Sequence, residues 1–183
     1  MLEYSVCNEL LAQEGLSLAE QARVARQLGY VGLELAPATL AAEPHRLTTA
    51  QAEAIRETVE AEGVRVTGLH WLLSAYPQSS ITDSGRREET REILTGLVDL
   101  CADLGGRVLV HGSPRQRLRP DGTSNEDLTQ HLAAFFAPIA EHCAARGVTY
   151  CIEPLSTRET DVLTTVAEAA ALVEVVDSPA FRT

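Results

Sequence analysis

Four positions in this sequence carry acid–base or metal-binding groups in the same kind of setting. Glu34, His70, His111 and Glu153 each stand near the end of a short run of strand-forming residues: YVGLELAP, VRVTGLHWLL, GRVLVHGSP and VTYCIEPL. They follow one another at intervals of 36, 41 and 42 residues. A further run, LEYSVCNEL, ends at Asn8–Glu9 near the N-terminus. Two carboxylates and two imidazoles suit a divalent metal such as Mn²⁺, Co²⁺, Mg²⁺ or Zn²⁺. Such an ion could hold a ketose by its carbonyl and adjacent hydroxyl and lower the cost of an enediolate. A carboxylate could then remove the proton next to the carbonyl.

Glu153 is the most telling of the four. An acid between Ile152 and Pro154, at the mouth of an apolar strand, has few structural uses. The others have structural alternatives. Glu34 would serve as a turn cap or an arginine partner. His70, beside Trp71, would serve as a hydrogen-bonded mouth residue. His111, in the turn-like HGSP, would orient a neighbouring carboxylate. His45, His131 and His142 fall in a loop or on helices and read as surface residues. The segment PRQRLRPDG after His111 carries Arg115, Arg117 and Arg119, which suit either an anion site or a solvated lid.

The elements that must position these groups alternate along the chain. Ser17-x-x-Glu20 reads as a capping box that opens a helix with Leu18, Ala22, Ala25 and Leu28 on one face. Thr48-x-x-Gln51 opens a second, with Ala52, Ile55 and Val59 inward. A third runs from about Ser84 to Leu104, carrying Ile93, Leu94, Leu97, Leu100 and Cys101. Thr123-x-x-Glu126 opens a fourth, with Leu128, Leu132, Phe135, Ile139 and Cys143, and a fifth holds Val166, Ala169, Ala170, Val173 and Val176. Gly29, Gly63, Gly105 and Gly147 close the first four as left-handed caps.

The strands that follow are too continuously apolar for a half-exposed sheet, so they read as parallel strands covered by helices. Right-handed crossovers put all their C-terminal tips on one side, where parallel α/β folds bind ligands. The turn after the first strand, CNELLAQEGLS, lacks the glycine-rich phosphate loop of an open nucleotide-binding sheet. The expected fold is therefore a parallel α/β barrel in a single domain spanning residues 1–183.

Composition sets limits. The chain has 183 residues, 45% of them hydrophobic, and a formal net charge of −11, without the Lys/Arg clusters that bind a phosphate backbone. Nucleic acid and membrane are not expected partners; no apolar run approaches the ~20 residues of a membrane helix. No signal-peptide pattern opens the chain. Cys7, Cys101, Cys143 and Cys151 form no C-x-x-C pair and read as reduced core thiols of a cytoplasmic protein.

The pieces CNELL, LGYVGLELAP, GLHWLL, LVHGSP and IEPL…ET, followed by TTVAEAAALVEVVDSPAFRT, resemble the sugar phosphate isomerase/epimerase family, the xylose-isomerase-like TIM barrels. Together they cover nearly the whole chain. The resemblance implies that Glu153 is a metal ligand and one of two catalytic acid/base glutamates. It implies that Glu159 holds substrate hydroxyls, and that His70, Trp71 and His111, with Glu34, line a sugar pocket. The family's EPLNRYET reads EPLSTRET here, with Ser156, Thr157 and Arg158 replacing Asn-Arg-Tyr, so the sugar specificity is expected to differ.

Eight strands and roughly 250 residues make such a barrel. About five βα units are visible, then Phe181-Arg182-Thr183 as the start of a sixth strand. The family's further ligands, an Asp, a His and a second Glu, belong to strands six to eight. The expected function is metal-dependent sugar or sugar phosphate isomerisation or epimerisation, with an incomplete metal site and an inactive 183-residue form. Sheet edges are expected at strands one and five, and a homodimer remains open. The alternatives are a non-catalytic binding or assembly module, an AP-endonuclease-like phosphodiesterase, and an inosose-dehydratase-like lyase on the same barrel.

Overall fold

The computed structural model describes residues 2–183. Its elements run β1 (Ser5–Cys7), α1 (Glu9–Gln13), α2 (Leu18–Gln27), β2 (Gly32–Leu35), α3 (Thr49–Glu60), β3 (Arg65–His70), α4 (Arg87–Asp103), β4 (Val108–His111), α5 (Asn125–Arg146), β5 (Thr149–Ile152), α6 (Val166–Val176) and β6 (Phe181–Arg182). All six strands are parallel and pair in strict chain order, β1-β2-β3-β4-β5-β6. Each helix from α2 to α6 packs against its sequence neighbours, and each touches the sheet. A doubly wound sheet would break both orders. The arrangement is the wall of a parallel barrel, with six strands in place.

Local chemistry sets the helix starts. Ser17 Oγ accepts from the Glu20 amide while Glu20 Oε2 accepts from the Ser17 amide at 2.8 Å. Thr48 and Gln51 form the same reciprocal box. The cap of α5 is Ser124 rather than Thr123: its hydroxyl accepts from the Asp127 amide at 3.1 Å and donates to the Asp127 carboxylate at 2.7 Å. Gly29, Gly63, Gly105 and Gly147 all have positive φ, as expected of left-handed caps.

The pleat divides the sheet into two faces. Leu35, Leu69, Leu109, Tyr150 and Phe181 form one continuous cross-strand row, and all five are fully buried under the helices. Leu94, Leu97 and Cys101 of α4 and Leu132, Phe136 and Ile139 of α5 cover this face. Each such large apolar side chain contributes about 1.5–3 kcal/mol on burial. The neighbouring rows face away from the helices. One is Cys7, Glu34, Gly68, Val108 and Thr149; another is His70, Val110, Cys151 and Arg182. Apart from Gly68, these residues are half-buried or exposed.

Four expectations need correction. Phe181–Arg182 pairs with β5, so the edge strands are β1 and β6, not β1 and β5. The first strand stops at Cys7, and the unforeseen helix α1 begins at Glu9. Leu28, the C-cap residue of α2, is 71% exposed, and the polar Gln21 is buried. Cys7 and Cys151 are not core thiols: Cys7 is exposed and Cys151 half-buried, while Cys101 and Cys143 are buried. Among the described residues no helix is long and apolar enough to cross a membrane.

Candidate functional site

The polar strand ends meet on the helix-free face at the C-terminal edge of the sheet. Asn8, just after β1, is an organiser there. Its carboxamide is buried, donating to Gln21 at 3.0 Å and Thr39 at 2.9 Å and accepting from the Ala36 amide at 2.7 Å. It ties the end of β1 to α2 and to the loop after β2. Glu9, the next residue, lies within hydrogen-bond reach of His70, with Glu9 Oε2 2.7 Å from His70 Nε2. With the Glu9 carboxylate as acceptor, this contact corresponds to the His70 tautomer that carries its proton on Nε2. His70 Nδ1 is buried without a hydrogen-bond partner and lies 3.8 Å from Glu34 Oε1. Cys7 completes this group: ligand atoms of Cys7, Glu34 and His70 all lie within 4.8 Å of one another.

The electrostatics are negative. Burial, with Glu153 and Glu9 nearby, pushes the Glu34 carboxyl above its ordinary range, and His70 opposes that shift. Burial and the charges of Glu34, Glu9 and Glu153 push the Cys7 thiol up to about 11.

Glu153 follows β5 directly, and its carboxylate lies over Gly112. A Cβ at position 112 would sit 2.0 Å from Glu153 Oε2. The backbone beneath is held firmly. The Glu153 amide donates to the His111 carbonyl at 3.2 Å. The buried Arg117 guanidinium donates to the His111 carbonyl at 2.6 Å and to the Glu153 carbonyl at 2.8 Å. Burial lowers the Arg117 pKa to about 10. Arg117 is therefore a strut between the tips of β4 and β5, neither a solvated lid residue nor an anion ligand.

His111 is the expected pocket residue that the structure places elsewhere. It pairs with Ile152 in a helix-facing row and is fully buried. Its Nδ1 is 2.5 Å from the Tyr150 hydroxyl, and its ring meets Phe136 edge-on. Burial, with Arg117 nearby, holds its pKa well below 6.5, so it is neutral. It stands behind the sheet, one residue out of phase with the pocket face. Trp71 stays in front, 45% exposed and at φ 51°. It lines a cavity of about 470 Å³ with Glu9, Gln13, Ala36, Thr39 and Ser74. Glu159 is exposed in the loop after β5, and its carboxylate accepts from the Ser156 hydroxyl at 2.7 Å and amide at 3.2 Å.

This geometry brings together Glu34 and His70, adds Glu9 and Cys7, seats Glu153 over Gly112, and removes His111. Residues 22–183 match the xylose isomerase-like TIM barrel family. The chain belongs to that family. No curated protein matches the sequence. Solved structures agree on the fold. D-psicose 3-epimerase from Clostridium cellulolyticum, solved with D-tagatose, superposes with a TM-score of 0.78 at 16% identity, over 98% of this chain and 62% of that one. A xylose isomerase-like TIM barrel protein from Mycobacterium smegmatis, solved with magnesium, gives 0.65 at 16% identity, over 99% and 65%. An AP endonuclease, family 2, from Brucella melitensis gives 0.71 at 20% identity, over 99% and 67%. The chain thus spans about 62% of the length of the epimerase. In a xylose isomerase-like barrel the helix-free face is the inside, and the tips that carry Glu34, His70 and Glu153 form its mouth.

Two contributors were hidden in the sequence. Cys7 belongs to no C-x-x-C pair and so reads as a reduced core thiol; the alternation of exposure along Ser5–Val6–Cys7 is the available signal. Gly112 was read only as part of a turn.

Proposed function

We propose that this chain supplies the β1–β6 part of a metal-dependent isomerase or epimerase of ketose-type sugars or sugar phosphates, acting in the cytoplasm. One observation carries the proposal: an exposed carboxylate, Glu153, stands at the barrel mouth on a backbone clamped by Arg117, in a seat that only glycine at position 112 leaves open. Such fixing is what a group that moves a proton at a defined carbon requires.

Glu153 removes the proton next to the ketose carbonyl and returns it, or passes it on, at the neighbouring position. Trp71 presents an apolar wall for the carbon skeleton, and Glu159 and Glu34 bind hydroxyls. His111 contributes from behind, as part of the buried support. A divalent ion, with Glu153 as the ligand this chain offers, would supply Lewis-acid polarisation of the carbonyl and adjacent hydroxyl. The likeness to an epimerase solved with a ketose supports the sugar assignment, and the magnesium-bound relative supports the metal.

Phosphodiester hydrolysis is less well supported, because Glu9, Glu34 and Glu153 face the mouth and repel a phosphate backbone.

The test uses protein purified from its natural source, with its intact mass measured. Deuterium uptake from solvent into a panel of ketoses is followed by NMR with Mn²⁺ or Co²⁺ added. Metal-dependent exchange is expected, reduced about 10²–10⁴-fold by Glu153→Gln. Exchange indifferent to Glu153 or to metal would refute the assignment. Loss of water from the substrate would identify a lyase instead.

A further inference from the structure

His70 presents an arrangement that hydrogen bonding does not explain. With Nε2 directed to Glu9, His70 Nδ1 is buried and has no hydrogen-bond partner. The nearest charged group is Glu34 Oε1, another acceptor, 3.8 Å away. A second proton on Nδ1 would find no acceptor within hydrogen-bond distance there. Cys7 completes the group: one ligand atom each of Cys7, Glu34 and His70 lie within 4.8 Å of one another. Among the described residues neither the Glu34 carboxylate nor the Cys7 sulfur has a side-chain hydrogen-bond partner. Three lone-pair donors of different softness thus lie close together, inside a field made more negative by Glu9 and Glu153.

We propose that Cys7, Glu34 and His70 form a second cation site, a three-ligand zinc site that does not include Glu153. One sulfur, one nitrogen and one oxygen match the donor range of zinc, and the thiolate disfavours magnesium and manganese. Usual zinc bond lengths at tetrahedral angles put ligand atoms about 3.3–3.6 Å apart. The His70–Glu34 separation of 3.8 Å is nearly that already. The register explains the convergence: Cys7 pairs with Glu34 on adjacent strands, while the β2–β3 register shift at Leu33/Glu34 brings His70 to the same side as Glu34. Glu9 supplies the outer carboxylate that orients a ligating histidine and fixes its tautomer. Cys7 is exposed, which leaves a fourth position open to solvent beside the groove lined by Glu9 and Trp71. Three protein ligands and one open position are the pattern of a zinc ion that binds an exchangeable oxygen ligand.

The test titrates the metal-free full chain with Co²⁺ and then Zn²⁺. One equivalent of Co²⁺ is expected to produce thiolate-to-cobalt charge-transfer absorption, and Zn²⁺ to displace it and raise the melting temperature. Cys7→Ser should abolish the band and Cys151→Ser should keep it. His70→Gln and Glu34→Gln should weaken zinc more than 100-fold, and Glu9→Gln 10–100-fold. Circular dichroism of each metal-free variant verifies the fold. Glu153→Gln should keep the cobalt spectrum while losing proton exchange, so the two sites fail separately. Absence of a thiolate band, its survival in Cys7→Ser, or zinc affinity unchanged in folded His70→Gln overturns the proposal.

Discussion

Replacing Gly112 by alanine tests whether the seat of Glu153 matters to its chemistry. The residue has no positive φ, so its backbone accepts alanine without strain. The added methyl would stand 2.0 Å from Glu153 Oε2 and 3.2 Å from its Cδ, with Leu155 Cδ2 at 3.8 Å. Ordinary contact begins near 3.4 Å, so the carboxylate oxygen must retreat by about 1.4 Å. A misplacement of ~1 Å at a reacting group costs on the order of 10²-fold in rate, or about 2.7 kcal/mol of barrier. Stability should hardly change. Reduced freedom of the unfolded chain contributes about 0.4–1 kcal/mol, and an off-rotamer glutamate costs about 0.5–1.5 kcal/mol. The net effect stays within about 1 kcal/mol, or roughly 4 °C in melting temperature for a chain of this length. Thermal unfolding and deuterium exchange, measured on the same preparations, separate the two effects. In a Glu153→Gln background the alanine should cost nothing further, because the group it displaces no longer works. Full exchange in Gly112→Ala, or a loss that multiplies with Glu153→Gln, would refute the reasoning.

The support behind the pocket yields three further expectations. Tyr150→Phe strips His111 Nδ1 of its partner inside the core and should cost about 1–3 kcal/mol, read as a lower melting temperature. Because His111 stays neutral in the fold, the unfolded chain binds the extra proton below its ordinary pKa of 6.5. Its contribution is therefore intact above about pH 6.5 and is lost as pH falls, by up to ~1.4 kcal/mol per pH unit. Urea unfolding at pH 7 and pH 5 should show a shallower pH dependence in His111→Gln than in the parent; equal slopes would exclude His111 as the source. Arg117→Met leaves the His111 and Glu153 carbonyls without their charged donor. It should destabilise by about 1–3 kcal/mol and weaken amide-exchange protection first at the tips of β4 and β5.

The parallel α/β order was legible because it rests on local chemistry. Capping boxes at Ser17 and Thr48 and glycines at the helix ends are short-range devices, and they place elements without knowledge of the rest of the chain. The apolar stripes of α4 and α5 were equally plain, since both helices lie between the sheet and their neighbours on either side. Where the environment is less enclosed, pattern misleads. Leu28 fits the apolar stripe by spacing yet is exposed, because it is the C-cap residue just past the end of α2, and the buried Gln21 is held inside by the Asn8 carboxamide instead of by apolar packing. Helix α1 was missed because five residues cannot display a 3.6-residue period.

The strand ends that carry the candidate residues were legible in the sequence, but the face each side chain takes was not, and one residue decides it in a sheet. Sequence shows that a polar group ends a strand, but its face depends on the phase of the pleat, which is set by cross-strand pairing. Leu69–Leu109 and Val110–Cys151 lock β4 so that Val108, Val110 and Gly112 look toward the mouth while Leu109 and His111 look toward the helices. The same locking turns Cys7 toward Glu34, although nothing in SVCNE marks that cysteine as polar in role. Glu153 and Gly112 therefore form a single unit across two strands: the carboxylate occupies the volume that a side chain on β4 would have filled. A strand-end reading that weighs residues one at a time finds the acid and overlooks the glycine, since the glycine's contribution is the space it leaves.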